Sequence, residues 1–196
     1  MTGPVARAYR SLLAGGELKP DRDQQRAVAA LDRLARDLAR PSGGLIDRLF
    51  GRPKWVCGVY LWGGVGRGKS MLMDLAFDHI PVAPKLRVHF HAFMLDVHQR
   101  LRAARAEDKG DPIPIVAEGI AAQARLLCFD EMVINNTADA MILSRLFTAL
   151  LEEGVAVVTT SNRPPTDLYM DGLNRELFLP FIALIGERMQ VIPLNG

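Results

Sequence analysis

Cysteine is scarce in this sequence, with two residues in 196, and that scarcity excludes a scaffold built on disulfides. Cys57 and Cys128 lie far apart inside apolar, strand-like runs, where reduced core thiols are expected rather than a bridge or a metal pair. A reducing, cytoplasmic location suits them. An excess of charge of one sign is equally absent, because 24 Lys and Arg against 22 Asp and Glu leave a formal net charge of +2. With no basic block in the chain, composition carries no strong nucleic-acid signal, and partners have to be argued from sites. The N-terminus, MTGPVARAYR, lacks the apolar core of a signal peptide, and no apolar run approaches the length that spans a bilayer. Any membrane contact is therefore expected to be peripheral. Internal repeats are missing too. What is left is the composition of a soluble globular domain, 49% apolar, long enough to bury one good core.

Against that plain background, Gly63 to Ser70, GGVGRGKS, stands out. It fits G-x-x-x-x-G-K-[ST], the phosphate-binding loop of nucleotide hydrolases, and it follows an apolar run from Trp55 to Trp62 that reads as a buried strand. Gly63, Gly64, Gly66 and Gly68, with Val65 and Arg67 among them, let backbone N–H groups curl around a polyphosphate. The segment from Met71 to His79 supplies a helix whose N-terminus favours negative charge. Lys69 is expected to reach the β- and γ-phosphates of ATP, and Ser70 to ligate Mg2+. The cradle expected to contact nucleotide runs from Gly63 to Met71.

Residues 1–40 read as helical. Tyr9, Leu12 and Leu13 precede a Gly15-Gly16 break, and Ala27, Leu31, Leu34 and Leu38 recur at helical spacing behind Asp21 and Asp23, which suit an N-cap or first turn. Gln24 has two readings. Its amide could pair with the N6/N7 edge of adenine and so read the base of a nucleotide on the loop, or it could be a solvent-facing helix residue. Pro41 to Pro53 reads as a linker, with a short membrane-surface helix as the alternative. From Trp55 onward strands and helices alternate, which implies a parallel α/β sheet. Strands are expected near Val56–Trp62, Leu86–His91, Arg125–Phe129, Val155–Thr160 and Met189–Leu194. Helices are expected near Met94–Glu107, Ile113–Gln123, Ala138–Glu153 and in the Leu168–Glu187 region, and the hydrophilic loop Glu107 to Asp111 reads as an exposed turn. The division that follows is a helical N-terminal arm and linker, 1–54, and an α/β nucleotide-binding core, 55–196.

LLCFDE, Leu126 to Glu131, is an apolar strand that ends in two acids, the form of a Walker B element. Asp130 is expected to hold Mg2+ through its water shell and Glu131 to polarise the water that attacks the γ-phosphate. Both roles need adjacent positions at the carboxyl end of a strand. VAVVTTSN ends at Asn162, which falls between the phosphate-binding loop and the acidic pair if strand four inserts between strands one and three. There an amide can hold the attacking water, the role called sensor 1; the alternative is an Asx-turn residue before Arg163-Pro164-Pro165. Further on, Arg175 in DGLNRELFLP is either an arginine finger aimed at a neighbouring subunit's nucleotide or one half of a surface ion pair. His89 and His91, taken as sharing one strand face, could be drawn with His98 as a metal site. No Cys or carboxylate spacing supports zinc, so packing or partner contact is the preferred reading. Met71 and Met73 read as core filler rather than a binding stripe.

With these residues in place, the chain resembles the ZapE-type AAA+ ATPases, bacterial cell-division proteins related to a mitochondrial ATPase. The likeness covers nearly the whole chain. It rests on the arm from Tyr9 to Leu31 with Asp21 and Gln24, and on GVYLWGGVGRGKS, HFHAFM, LLCFDE and ADAM at Ala138 to Met141. TTSNRPP followed by LY, and DGLNR followed by FLP, complete it. HFH-x-FM joined to SN-x-PP is more specific than the phosphate-binding loop, which very many proteins share. The resemblance implies a P-loop AAA+ fold, a five-stranded parallel sheet sandwiched by helices. It also implies ATP hydrolysis with Mg2+ in a homo-oligomeric ring, hexameric when complete, with FtsZ polymer or another division protein as client. Met132 and Asn136 stand where the family often has Phe and Asp, which leaves open the form of the loop after the acidic pair and any partner contact it makes. The sequence as given stops at Gly196, where the resemblance implies a helical C-terminal lid and a second sensor arginine. For a chain without them the expectation is nucleotide binding with inefficient hydrolysis. Two other function classes stay open: an ATP-gated oligomeric scaffold that hydrolysis only resets, and a helicase-loader-like nucleic-acid ATPase.

Overall fold

A computed structural model describes residues 3–40, 56–107 and 110–195. Helix α1, Pro4–Ala14, carries proline in its first turn. Helix α2, Arg22–Ala39, starts at Asp21, whose carboxylate accepts from the Gln24 N–H at 2.9 Å. The α2 stripe Ala27, Leu31, Leu34 and Leu38 is buried, as its periodicity predicts. Asp32, on the same helix, is fully buried and serves α1: its oxygens accept from the Val5 and Ala6 N–H groups at 2.9 and 3.3 Å. A carboxylate at a helix N-terminus satisfies donors that have no partner within the helix, which is why a buried acid is tolerated there.

Five parallel strands form one sheet: β1 Gly58–Trp62, β2 Lys85–His89, β3 Leu126–Asp130, β4 Ala156–Ser161 and β5 Met189–Pro193. Their spatial order is β2-β3-β4-β1-β5. Helices α3 Lys69–His79, α4 Phe90–Ala106, α5 Pro112–Ala121, α6 Thr137–Glu152 and α7 Leu179–Arg188 lie between them in sequence. Because β4 inserts between β3 and β1, the ends of all three strands meet on one side of the sheet.

Strands covered on both faces read as continuous apolar runs, and alternation within each run sorts the side chains into two cores. Leu126 and Cys128 of β3, Val59 and Leu61 of β1, and Ala156 and Val158 of β4 share a cluster with α3 and the arm helices, where Val5, Tyr9, Leu31 and Leu34 meet Leu72 and Met73. Burial pushes the Cys128 thiol pKa up to about 12, so it remains a neutral core residue. Leu127, Phe129, Tyr60 and Val157 face the other way, toward α4 to α7. Phe129 is the centre of that side, with ring contacts to Phe90, Phe93 and Phe147.

One expectation needs correction. Strand β2 ends at His89, and His91 lies in the first turn of α4, so the two histidines do not share a strand face. The reason is a change of period: Phe90, Phe93, Met94 and Val97 are buried at helical spacing, which takes over from strand alternation directly after His89. The Leu168–Glu187 region holds a helix, as expected, and it is α7 in the second half. Short 3-10 turns at Pro165–Asp167 and Arg175–Leu177 precede α7, and Tyr169 and Asn174 adopt left-handed φ of 54° and 55°, which interrupts helical backbone. The Pro41–Pro53 linker lies outside the described residues, as does the middle of the Glu107–Asp111 loop.

Candidate nucleotide site

The cradle sits where β1 turns into α3. Gly68 caps α3 with φ 85°, and a Cβ there would come within 2.8 Å of the Gln24 amide nitrogen. At Gly63 the constraint is close approach, because a Cβ would overlap the carbonyl oxygen of Leu194. The loop from Val65 to Met71 lines a cavity of about 370 Å3, whose opposite wall is Glu131, Thr160, Ser161 and Asn162. Lys69 begins α3, and its ammonium donates to the Gly63 and Gly64 carbonyl oxygens at 2.6 and 2.7 Å. Burial lowers its pKa below the ordinary lysine value, against a smaller upward pull from the Glu131 carboxylate. Ser70 is exposed beside it, Met71 is half-buried along the wall, and Met73 is fully buried in the core.

Asp130 ends β3, and Glu131 follows with φ 57°, a left-handed conformation that costs a non-glycine residue about 1–3 kcal/mol. Bonds to β4 enforce the turn: the Glu131 N–H donates to Thr160 Oγ1 at 3.0 Å and the Met132 N–H to the Thr160 carbonyl at 2.8 Å. The turn separates the two carboxylates. Glu131 faces the first cavity, whereas both acids line a second one of about 390 Å3 with Ser70, Arg87 and His89. Asp130 Oδ2 accepts from Arg87 Nε at 2.7 Å, and Arg87 Nη1 also pairs with Asp74 of α3. These contacts, the Asp130 hydrogen bond first, raise the guanidinium's pKa and keep Arg87 charged.

Asn162 directly follows β4, is exposed, and lines the first cavity. It also borders a third, of about 530 Å3, between the 132–135 and 163–172 loops. Ser161 secures the backbone around it, donating from Oγ to the Met132 carbonyl at 3.0 Å and accepting from the Arg163 N–H at 3.2 Å. Arg175 is not brought to the cavity. Its Nη2 donates to the Thr166 carbonyl at 2.6 Å, and among the described residues its Nε is buried without a partner, so its contact there is a carbonyl of its own loop rather than the carboxylate of a surface ion pair. Gln24 is half-buried rather than solvent-facing. Its Oε1 accepts from the Tyr9 hydroxyl at 3.1 Å and its Nε2 donates to the Arg67 carbonyl at 3.3 Å. An amide has two donors and two lone pairs, so each end keeps one position for the edge of a base. His98 pairs with Asp139 at 2.6 Å, away from the exposed His89.

Among the described residues no group of three or more His, Cys, Asp or Glu side chains is placed to hold a metal ion. The donors at the head of α3 are a serine hydroxyl and carboxylates, hard oxygen groups that suit Mg2+ but are too few to encage it. The ion fits only with phosphate oxygens and water completing its shell.

A family model described as AFG1-like ATPase matches residues 2–196. The chain belongs to the AFG1-like ATPase family. Cell division protein ZapE of Escherichia coli (strain K12) is 40% identical over 202 residues, covering 96% of this chain and 53% of ZapE. Lactation elevated protein 1 homolog B of Danio rerio is 45% identical over 147 residues, covering 70% of this chain and 29% of the fish protein. The chain thus spans about half the length of the first relative and less than a third of the second. Domain III of the Thermotoga maritima replication initiation protein DnaA shares the fold, with a TM-score of 0.59 at 19% identity over 91% of this chain and 64% of that one. In this AFG1-like chain three residues beside the site escape sequence reasoning: Arg87, Thr160 and Tyr9. Alternation along KLRVH sets Arg87 and His89 on one face of β2, and that was the one available signal for Arg87. Thr160 and Tyr9 sit in apolar surroundings and look like core residues until their hydroxyls are traced.

Proposed function

We propose that this chain is the ATP-binding and ATP-hydrolysing core of an AAA+ machine that uses Mg2+ and completes its sites with a neighbouring copy in a homo-oligomeric ring. One observation carries the reading: the phosphate loop, Glu131 and Asn162 line the same cavity of about 370 Å3 at the carboxyl ends of β1, β3 and β4. Lys69 exchanges the Gly63 and Gly64 carbonyls for the β- and γ-phosphates, while backbone N–H groups of the loop face the phosphate chain. Ser70 and Asp130 would hold Mg2+, which when bound would neutralise phosphate charge. Glu131 takes a proton from the attacking water, and Asn162 holds that water in line. Gln24 reads the adenine edge with its remaining donor and lone pair.

Arg175 serves a neighbour's site in this proposal. Leu173 and Leu177 on either side of it are 71% and 50% exposed, apolar surface that a second copy covers on assembly. To reach across, the guanidinium gives up the Thr166 carbonyl and gains a partner for Nε. Mixing Arg175→Ala with Glu131→Gln subunits tests this. Each alone is expected to be nearly inactive, and the mixture to recover turnover from composite sites that hold an intact finger and an intact glutamate. No recovery at any ratio, in protein shown to assemble, rules out action in trans.

The work of the cycle is remodelling of a protein assembly. The Escherichia coli relative is a cell division protein, and FtsZ polymer is the client implied by the family resemblance. Sedimentation of FtsZ polymer with this chain is expected to show loss of polymer that requires ATP. Polymer unaffected by the chain removes FtsZ as client and leaves the ATPase reading in place.

A further inference from the structure

Arg87 has no part in the roles assigned above, yet it grips the carboxylate on which the metal side depends. It lies on β2, where its neighbour in register is Cys128 of β3, two residues before Asp130. From there its guanidinium reaches Asp130 Oδ2 through Nε at 2.7 Å and Asp74 through Nη1. Asp74 stands one helical turn beyond Ser70 on α3, so the two side chains share a face, and Arg87 lines the second cavity together with Ser70 and Asp130. The contact with Asp130 is no loose surface pair: the side chains of Arg87 and Asp130 are 28% and 12% exposed, so solvent screens it only in part.

We propose that Arg87 competes with the divalent cation for Asp130 and sets how much metal is needed to bind nucleotide. A cation that draws on Asp130 has to share the carboxylate with a guanidinium or replace it. Asp74 makes replacement possible without stranding a charge, because Arg87 keeps one carboxylate partner when it releases the other. The carboxylates at the head of α3 are too few to encage an ion, so metal overcomes this competition when phosphate oxygens come with it. Arg87 is thus a positioning residue, acting on the metal through Asp130.

The inference rests on the nucleotide-binding reading and is tested by binding rather than turnover. A fluorescent nonhydrolysable ATP analogue is titrated onto the purified chain across a Mg2+ series, with chelator at zero metal and thermal unfolding as a check on each variant. Arg87→Gln is expected to lower the half-maximal Mg2+ concentration roughly tenfold, the scale of one charge-assisted hydrogen bond, while affinity in chelator stays within about twofold. Arg87→Lys keeps the charge but cannot bridge both carboxylates, so its shift is expected in the same direction and smaller. Asp74→Asn leaves Arg87 to Asp130 alone and is expected to raise the Mg2+ requirement. Arg87→Gln that leaves the requirement unchanged or raises it overturns the proposal, as does Arg87→Lys indistinguishable from the parent, which reduces the effect to long-range charge. Failure of the parent chain to bind the analogue at any Mg2+ concentration overturns the nucleotide reading, and this proposal with it.

Discussion

Asp130 and Asn162 stand at the ends of adjacent strands, β3 and β4, and the chain holds them in different ways. Asp130 continues a strand buried on both faces, is gripped by Arg87, and is followed by Glu131, whose left-handed backbone is pinned by two bonds to Thr160. Asn162 has left the sheet and is exposed; its position is inherited from Ser161 and from the loop that begins at Arg163. Arg175 is further out, on a short turn tied to Thr166. One half of the candidate site is thus preformed by burial. The other half is placed by loops.

The preformed half makes the sharpest predictions. Lys69→Ala is expected to lower ATP turnover by roughly a thousandfold, the scale of losing a preorganised donor to developing phosphate charge. Its melting temperature should stay within about 3 °C of the parent. Phosphate release and thermal unfolding measure the two. A loss of stability that tracks the loss of turnover would break the comparison, since Lys69 would then be holding the loop together through the Gly63 and Gly64 carbonyls. Glu131→Gln comes next: turnover falls about a hundredfold while nucleotide affinity stays within about twofold, as expected for a group that acts on water rather than on phosphate. Weaker binding of the same size would reassign Glu131 to the metal.

The same contrast explains what sequence could and could not reveal. GGVGRGKS and LLCFDE are legible because burial forces apolar strands and the chemistry fixes residue types at their ends; the structure sets Lys69 and Glu131 on one cavity and Asp130 on the next, which Glu131 also lines. Arg87 is not legible because its partner is on another strand, and only register brings the two together. Alternation misplaces His91 because HFHAFM carries both a strand's end and a helix's start, and alternation cannot locate the switch. For Arg175 sequence leaves a finger and an ion pair open, and the contact with the Thr166 carbonyl is not legible, because Tyr169 and Asn174 redirect the loop at single left-handed residues.

The loop-placed half should yield smaller, more selective losses. Asn162→Ala is expected to reduce kcat roughly tenfold with KM nearly unchanged, the result of an amide that, in the proposed role, orients water and holds no part of the nucleotide. A rise in KM with kcat preserved would place Asn162 with the binding groups and erase the distinction between the halves.

Gln24 lies between the two, and its variants give the finest test. The arm side of its amide is set by Tyr9 and its loop side by the Arg67 carbonyl, so it joins a packed helix to the cradle while leaving one donor and one lone pair free. Adenine offers a donor and an acceptor in the matching order, and guanine offers two acceptors. Gln24→Ala is therefore expected to reduce the preference for ATP over GTP about fivefold in competition binding, the low end for a bidentate base contact. If both nucleotides weaken equally, Gln24 supports the loop through Arg67 and reads no base. Tyr9→Phe separates these roles. It removes the hydroxyl that steadies Oε1, yet keeps the ring in its pocket and leaves Nε2 on the Arg67 carbonyl, which can only accept and so fixes the amide's sense. A loss of base preference of about twofold, with GTP affinity unchanged, is expected if orientation alone carries the selectivity.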